Sequence, residues 1–400
     1  MADRISIYED YKTKLLLSEQ QKQDILALKD ILGSKNVSLQ VDGTLQVMHY
    51  VGFVVSNRTR IQILPKIYAS SATSDPEREA EESIHLLFHM LHYSEYFKVE
   101  ELPTPQAISS CDYDLLEIFI SIFIRRFINL FTRDVHRNYE DFQENMQFIK
   151  GKILFQQSLR RNVFSRHLHY VDYQEFTVDT LLNRIFKTVI MRLLAHTSNS
   201  DNKKKLKLAL VYLEEVSTVR LSESVFDQVR FTRLNENYRP LFNMARMFYH
   251  NLQPGTKEGD EYTFTFLVPL NELFEFYVYK LLRNQHGDCI QYQKPQRYLA
   301  TWGNKRKLLL KPDITMHREG KVLQIWDAKY KNPFDGDGQL SVSPSDIYQM
   351  LAYAVRYNCN SIALVYPVFK ESKGSAEIEP LNIETSQGNV CLKIEQVDIN

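Results

Sequence analysis

One strand of this chain runs from a buried, apolar body straight into charge. Residues 321–329 read Lys-Val-Leu-Gln-Ile-Trp-Asp-Ala-Lys. Val322, Leu323 and Ile325 mark a buried strand, and residues two apart on a strand face the same side. Asp327 and Lys329 therefore project together. A carboxylate and an ammonium ending a buried strand are costly unless they are paired or hold an ion. Fourteen residues before Asp327, Lys311-Pro312-Asp313 closes a run of leucines with a second carboxylate. Strands are expected over 308–317 and 321–329, and the Arg318-Glu319-Gly320 turn between them can bring Asp313 beside Asp327. Adjacent carboxylates repel, and a hard divalent cation relieves the repulsion. Oxygen ligands of this kind suit Mg2+, with Mn2+ as the alternative. Lys329 is then placed to orient or activate a water molecule and to offset charge in a transition state.

An Asp-x-Lys alone also describes a surface hairpin with an ordinary salt bridge. The flanking helices argue against that reading. A helix expected over 267–284 carries Glu272 and Glu275. Another, over 346–357, carries Gln349 and Tyr353 four residues apart on one face. The order helix, strand, strand, helix, strand over residues 262–400 defines a mixed α/β domain.

Two further parts precede it. Residues 1–75 read as a small β-rich module. Its hairpin turns at Asp42-Gly43, and strands at 51–55 and 60–64 flank the polar turn Ser56-Asn57-Arg58-Thr59. Residues 69–83 look like a linker. Residues 78–255 form a mainly helical middle domain, with helices over 84–97, 115–131 and 179–194. Within it, Asp179 reads as a helix N-cap and Gly151 as a turn. Lys203-Lys204-Lys205 reads as a solvated loop, and His85, His89 and His92 as helix packing rather than a metal site.

The balance of 49 basic and 49 acidic residues gives no overall basic bias. Any nucleic-acid surface must therefore be a local patch. Lys305, Arg306, Lys307 and Lys311 before Asp313, and Lys331 after Lys329, are such a patch and suit phosphates. The four cysteines are scattered, which excludes a structural zinc site and fits a reducing, cytoplasmic setting. No secretory signal or membrane-spanning run is expected. There is no Gly-x-x-x-x-Gly-Lys-Ser/Thr phosphate loop.

The order of glutamate helix, Pro-Asp, Asp-x-Lys and Gln-x-x-x-Tyr resembles the PD-(D/E)xK nuclease superfamily in its RecB-like branch, over about residues 265–370. The resemblance implies an α/β nuclease domain with Asp313, Asp327 and Lys329 at the catalytic positions. Glu275 is the helix acid and a third metal ligand, in preference to Glu272. Gln349 and Tyr353 lie beside the active site, Tyr353 near the DNA strand. Lys311 and Lys331 are DNA contacts. The segments Ile149-Lys150-Gly151-Lys152-Ile153 and Phe176 to Ile185, with Ile84 to Tyr96, Tyr238-Arg239-Pro240 and Leu64-Pro65-Lys66-Ile67, are similar to those of the McrC family. That family implies an endonuclease subunit of a modification-dependent restriction system, acting on double-stranded DNA with an McrB-like AAA+ GTPase ring. Arg58 and Arg60 are then candidate contacts to the motor. A stand-alone RecB-like nuclease and a non-catalytic adaptor are the alternatives.

Overall fold

The computed structural model describes residues 3–55, 59–69, 75–93, 102–253, 263–335, 338–370, 378–385 and 388–399. The chain divides into two compact units, one formed by Met1–Leu115 with Gln253–Asn400 and the other by Leu116–Leu252. The expected division into three consecutive parts does not match this. The β-rich N-terminal segment is completed by a strand from the C-terminal segment, so the two make one unit.

In that first unit, β1 (Asp3–Tyr8) lies parallel to β3 (Thr59–Leu64), and β3 pairs antiparallel with β2 (Tyr50–Val55). The far edge of β2 is taken by β4 (Thr263–Pro269), antiparallel, with Gly52 opposite Leu267. Any Cβ at Gly52 would lie 2.0 Å from the Phe266 carbonyl oxygen, so this pairing requires glycine there. The Asp42-Gly43 hairpin forms as expected, with Val37–Leu39 against Thr44–Val47. A helix that the β-rich reading missed, α1 (Glu19–Leu32), opens on a reciprocal capping box between Ser18 and Gln21. Residues 76–83 are not linker. They begin α2 (Pro76–Tyr93), whose apolar face buries Ile84, Leu87, Phe88 and Leu91.

β4 leads directly into α3 (Leu270–His286). The second sheet then runs in the order β5 (Ile290–Tyr292), β8 (Ile314–Arg318), β9 (Lys321–Ala328), β10 (Ser361–Pro367), β12 (Gly388–Val397), β11 (Leu381–Thr385). Between β5 and β8, a separate two-stranded hairpin is formed by β6 (Arg297–Trp302) and β7 (Lys305–Leu310). The single strand expected over 308–317 is therefore two. Pro312 has no N–H for a ladder, and Leu308 has a positive φ of 57°. The chain breaks at Lys311-Pro312-Asp313 and leaves Asp313 at the junction.

Strands β8 and β9 are antiparallel, whereas β9 and β10 are parallel, joined by α4 (Pro344–Tyr357). α4 packs on this sheet through Met350, Tyr353, Ala354 and Tyr357, against Ile325, Ile362 and Leu364. β10 is buried along nearly its whole length, as a central strand covered on both faces must be.

The second unit is not purely helical. Asn138–Met146 and His169–Thr177 form a long antiparallel pair, extended by Lys152–Ile153. Gly151 has a φ of +70°, and a Cβ there would fall 2.4 Å from the Asp172 carbonyl oxygen. Its turn therefore presses backbone on backbone. Lys203, Lys204 and Lys205 are helical, within Ser200–Tyr212, rather than a loop. The Ser- and Asn-rich lead-in is an N-cap, since the Asn199 side chain accepts from the amides of Asp201 and Asn202. Likewise Thr180, not Asp179, caps the helix Leu181–His196.

Candidate active site

Three elements of the second sheet and its helices meet at the break before β8. Asp327 sits one residue from the end of β9, flanked by β8 and β10, and is fully buried. Asp313 is held next to it, because its Oδ2 accepts from the Ala328 amide at 2.8 Å. Lys329 Nζ lies 2.5 Å from Asp327 Oδ2. That oxygen has no partner of good hydrogen-bond geometry. On α4, Gln349 bridges the group. Its Oε1 accepts from Lys329 Nζ at 3.0 Å, and its Nε2 donates to Asp327 Oδ1 at 3.4 Å and to the Tyr353 hydroxyl at 2.9 Å. The Tyr353 hydroxyl in turn donates to the Lys311 carbonyl at 3.1 Å, which fixes the backbone just before Asp313.

Glu275, from α3, completes the acidic set. Gln293 Nε2 donates to Glu275 Oε1 at 2.7 Å, while the Gln293 amide donates to the Asp313 carbonyl at 2.7 Å. Glu272 is exposed in the first turn of α3. Gln293 and Tyr292 were missed from sequence. No pattern in Gln-Tyr-Gln-Lys-Pro advertises them, and only the pairing of β5 with β8 brings them in.

The electrostatics show too much negative charge for the cations present. Burial, then the neighbouring Asp327 and Glu275, push the Asp313 carboxyl up to about 9. Burial also raises the Asp327 carboxyl, with Lys329 opposing it, and burial raises Glu275 against the hydrogen bond from Gln293. Burial works against the charge on Lys329, but Asp327 outweighs it and keeps the ammonium above its ordinary range. Lys329 is the lysine in direct contact with the set, Lys331 and Lys311 act on Asp327 and Glu275 as well, and the three acids still lie above their ordinary values, which leaves room for added positive charge. Oxygen donors of this kind fit a hard divalent ion.

The three carboxylates are not drawn into a tight cage. Among the described residues, only Glu9, Asp10 and His49 bring three ligand atoms within 4.8 Å of one another. At that second place a cation is already supplied. Lys66 pairs with Asp10 and lies 3.4 Å from Glu9. Lys66 also lies 5.7 Å over the ring of Tyr330, the neighbour of Lys329, and Tyr330 packs edge-on against Phe274 at 5.6 Å. Lys66, just after β3, and Phe274 on α3 therefore brace the chain just beyond the Asp-x-Lys.

The remaining expected contacts are placed as follows. Tyr353 is buried, with its hydroxyl engaged inside the site by Gln349 and the Lys311 carbonyl. Lys331 is held by Asp346 at 2.5 Å, because the turn after Lys329 brings it against the start of α4. Arg60 is not a free turn residue, since it lies on β3 and donates to Asp114 at 3.0 Å with both side chains nearly buried. Arg58 lies outside the described residues. Lys311 is exposed, as expected.

The model of the family described as McrBC 5-methylcytosine restriction system component matches residues 45–367, most of the chain. The chain belongs to the McrBC family. It is 23% identical over 277 residues to the type IV methyl-directed restriction enzyme EcoKMcrBC of Escherichia coli (strain K12), covering 67% of this chain and 79% of that one. Its fold is similar to a chain of the Thermococcus gammatolerans assembly of McrB AAA+ hexamers with bound McrC, with a TM-score of 0.77 at 20% identity over 99% of this chain and 95% of that one. A chain of the Thermococcus gammatolerans McrBC complex matches at TM-score 0.55 and 24% identity, covering 74% and 90%.

The McrC-like segments of the second unit are engaged internally. Asn183 donates to the carbonyls of His136 and Val178, and Arg184 grips Asp179 through two bonds of 2.7 and 3.0 Å. Lys187 caps carbonyls of Leu213, Glu214 and Val216. Asn183 and Arg184, from the McrC-like segment, and the nearby Lys187 thus hold the unit together. No helix among the described residues is long and apolar enough to cross a membrane.

Proposed function

We propose that the chain is the DNA-cleaving subunit of a modification-dependent restriction system and hydrolyses phosphodiesters at Asp313, Asp327 and Lys329. The observation that carries this reading is the joined set Asp313–Asp327–Lys329–Gln349, with two adjacent carboxylates facing a single ammonium. The layout supports a PD-(D/E)xK domain, with an acidic helix, an antiparallel pair bearing both aspartates, and a following helix and parallel strand.

Asp313 and Asp327 would hold Mg2+ directly, with Glu275 as the third acid. The ion would polarise the phosphate and help generate hydroxide from water. Lys329 is kept charged by Asp327 and aimed by Gln349, so its ammonium can orient the attacking water and stabilise developing negative charge on the phosphate. Tyr353 fixes both the Gln349 amide and the backbone before Asp313, which limits how far these groups can drift.

The chain would work with an McrB-like AAA+ GTPase ring and stimulate it. The family supports that pairing, as does the second unit's surface. Phe148, Phe155, Leu159 and Phe164 are exposed around its three-stranded sheet and short helix. Such a display on one small region marks an interaction surface. The test is cleavage of methylated DNA in Mg2+, with and without the ring and GTP, for the wild-type chain and for Asp313→Asn and Lys329→Ala. Cutting that needs both the ring and these residues supports the proposal. Robust cutting by the chain alone would favour a stand-alone nuclease. Undiminished cutting by both variants would exclude this site.

A further inference from the structure

The β6–β7 hairpin rises from the active site and is not part of either main sheet. In its register Trp302 pairs with Lys305 and Ala300 with Lys307, so Trp302, Lys305 and Lys307 share one face. Trp302 stands at the tip beside the Gly303-Asn304 turn and is 82% exposed. Residues 297–312 contain Arg297, Lys305, Arg306, Lys307 and Lys311 and no acidic residue. Among the described residues, Lys305, Arg306, Lys307 and Lys311 make no salt bridge.

The root, by contrast, is fixed. Arg356 Nε donates to the Tyr298 carbonyl at 2.8 Å, Arg297 Nη1 donates to the Arg356 carbonyl at 3.0 Å, and the Tyr357 hydroxyl donates to the Leu310 carbonyl at 3.2 Å. These anchors lie at the end of α4, the helix that carries Gln349. From Leu310 the chain passes through Lys311 and Pro312 into Asp313.

We infer that this hairpin is a DNA-holding arm, in which Trp302 stacks on a base of the bound strand while Lys305 and Lys307 take neighbouring phosphates. The inference rests on the nuclease reading of the adjacent site and extends it to how the substrate is held. An exposed indole beside two lysines that make no salt bridge, one opposite it and one a step further from the tip, matches the chemistry of a nucleic-acid strand, which offers π-faces and phosphates in alternation. It fits an acidic protein surface less well, since that would leave the indole without a stacking partner. Anchoring on α4 would set the held strand at a fixed distance from Asp313 and Asp327.

The chain contains two tryptophans, and the other, Trp326, is buried. Trp302 therefore provides its own reporter. The full chain is titrated with a short DNA duplex and with a single strand in EDTA, following tryptophan emission and, separately, affinity by fluorescence anisotropy of labelled DNA. Emission should be quenched on binding, and the quench should vanish in Trp302→Phe. Trp302→Ala should weaken binding roughly 5- to 100-fold. Lys305→Ala with Lys307→Ala should lower the slope of log affinity against log salt by about 1.8, or 0.9 for each lost phosphate contact. Thermal melts should be unchanged, because all three side chains are exposed. DNA binding with constant emission and unaltered affinities in these variants would overturn the inference, as would no DNA binding by the wild-type chain. In either case, Mg2+-dependent cutting that still requires Asp313 would leave the nuclease reading standing.

Discussion

The charge imbalance at the site makes Asp313→Asn a stabilising substitution as long as no cation is present. Burial and the adjacent acids hold the Asp313 carboxyl near 9, against an ordinary value of 3.8. An acid with a raised folded-state value takes up a proton on folding within that window. Its contribution is therefore most favourable below about 4, declines as pH rises, and levels off above about 9. At ~1.4 kcal/mol per pH unit, the burden at pH 8 would reach about 6 kcal/mol for an isolated group. Asp327 and Glu275 share the repulsion, so about 2 kcal/mol is the fraction to assign to Asp313 itself. Asparagine keeps the shape and can still accept from the Ala328 amide, but carries no charge. The variant's melting temperature in EDTA should thus exceed wild type by about 4–8 °C at pH 8, and by much less at pH 5. Saturating Mg2+ should reverse the order, because only the wild-type carboxylate can bind it, releasing a proton as it does. Calorimetry at pH 5, 6.5 and 8, with EDTA and with Mg2+, reads all three effects. A variant less stable than wild type in EDTA at pH 8, or a gap that does not change with pH, would refute the argument.

Three further outcomes follow from the same contacts. Gln349→Leu removes the bridge between Lys329 and Asp327, so the cleavage rate should fall at least ~10-fold while DNA affinity barely moves; single-turnover cutting with parallel binding measurements separates the two. Asn183→Ala leaves the His136 and Val178 carbonyls without their donor in a fully buried place, and should cost the second unit about 2–3 kcal/mol in urea unfolding. Gly151→Ala must both accept a positive φ and relieve a 2.4 Å approach to the Asp172 carbonyl, so it should unpair Lys152–Ile153 from its strand, visible as faster amide exchange there, without touching nuclease chemistry.

The site was more legible in the sequence than the architecture around it, and the reason is physical. Asp327 and Lys329 had to share a face because strand periodicity allows nothing else, and Gln349 and Tyr353 because helical periodicity does the same. Local rules reach that far. They do not reach the pairing of β2 with β4, which joins residues more than two hundred positions apart and ties the N-terminal segment to the C-terminal one. Nor do they reach Gln293, whose part in the site arises from β5 lying against β8. Some misses did carry a signal. Ser18 with Gln21 announces a capped helix, and Gly303-Asn304 between Trp302 and Lys305 announces a hairpin. Tyr353 shows the opposite error. Its helical face was read correctly, but the hydroxyl could be assigned only once the Lys311 carbonyl was known to lie in reach.

The second unit carries this reasoning one step further. Asn183 and Arg184 lie in the segment that resembles McrC, and with the nearby Lys187 each satisfies carbonyls or a carboxylate of its own unit. A polar side chain whose donors are all spent on groups of its own fold serves structure. One with a surplus of like charge beside it stores a demand for something from outside. Asp313 and Asp327 belong to the second kind, and that difference, rather than the prominence of the motif, is what makes their cluster the candidate reactive centre.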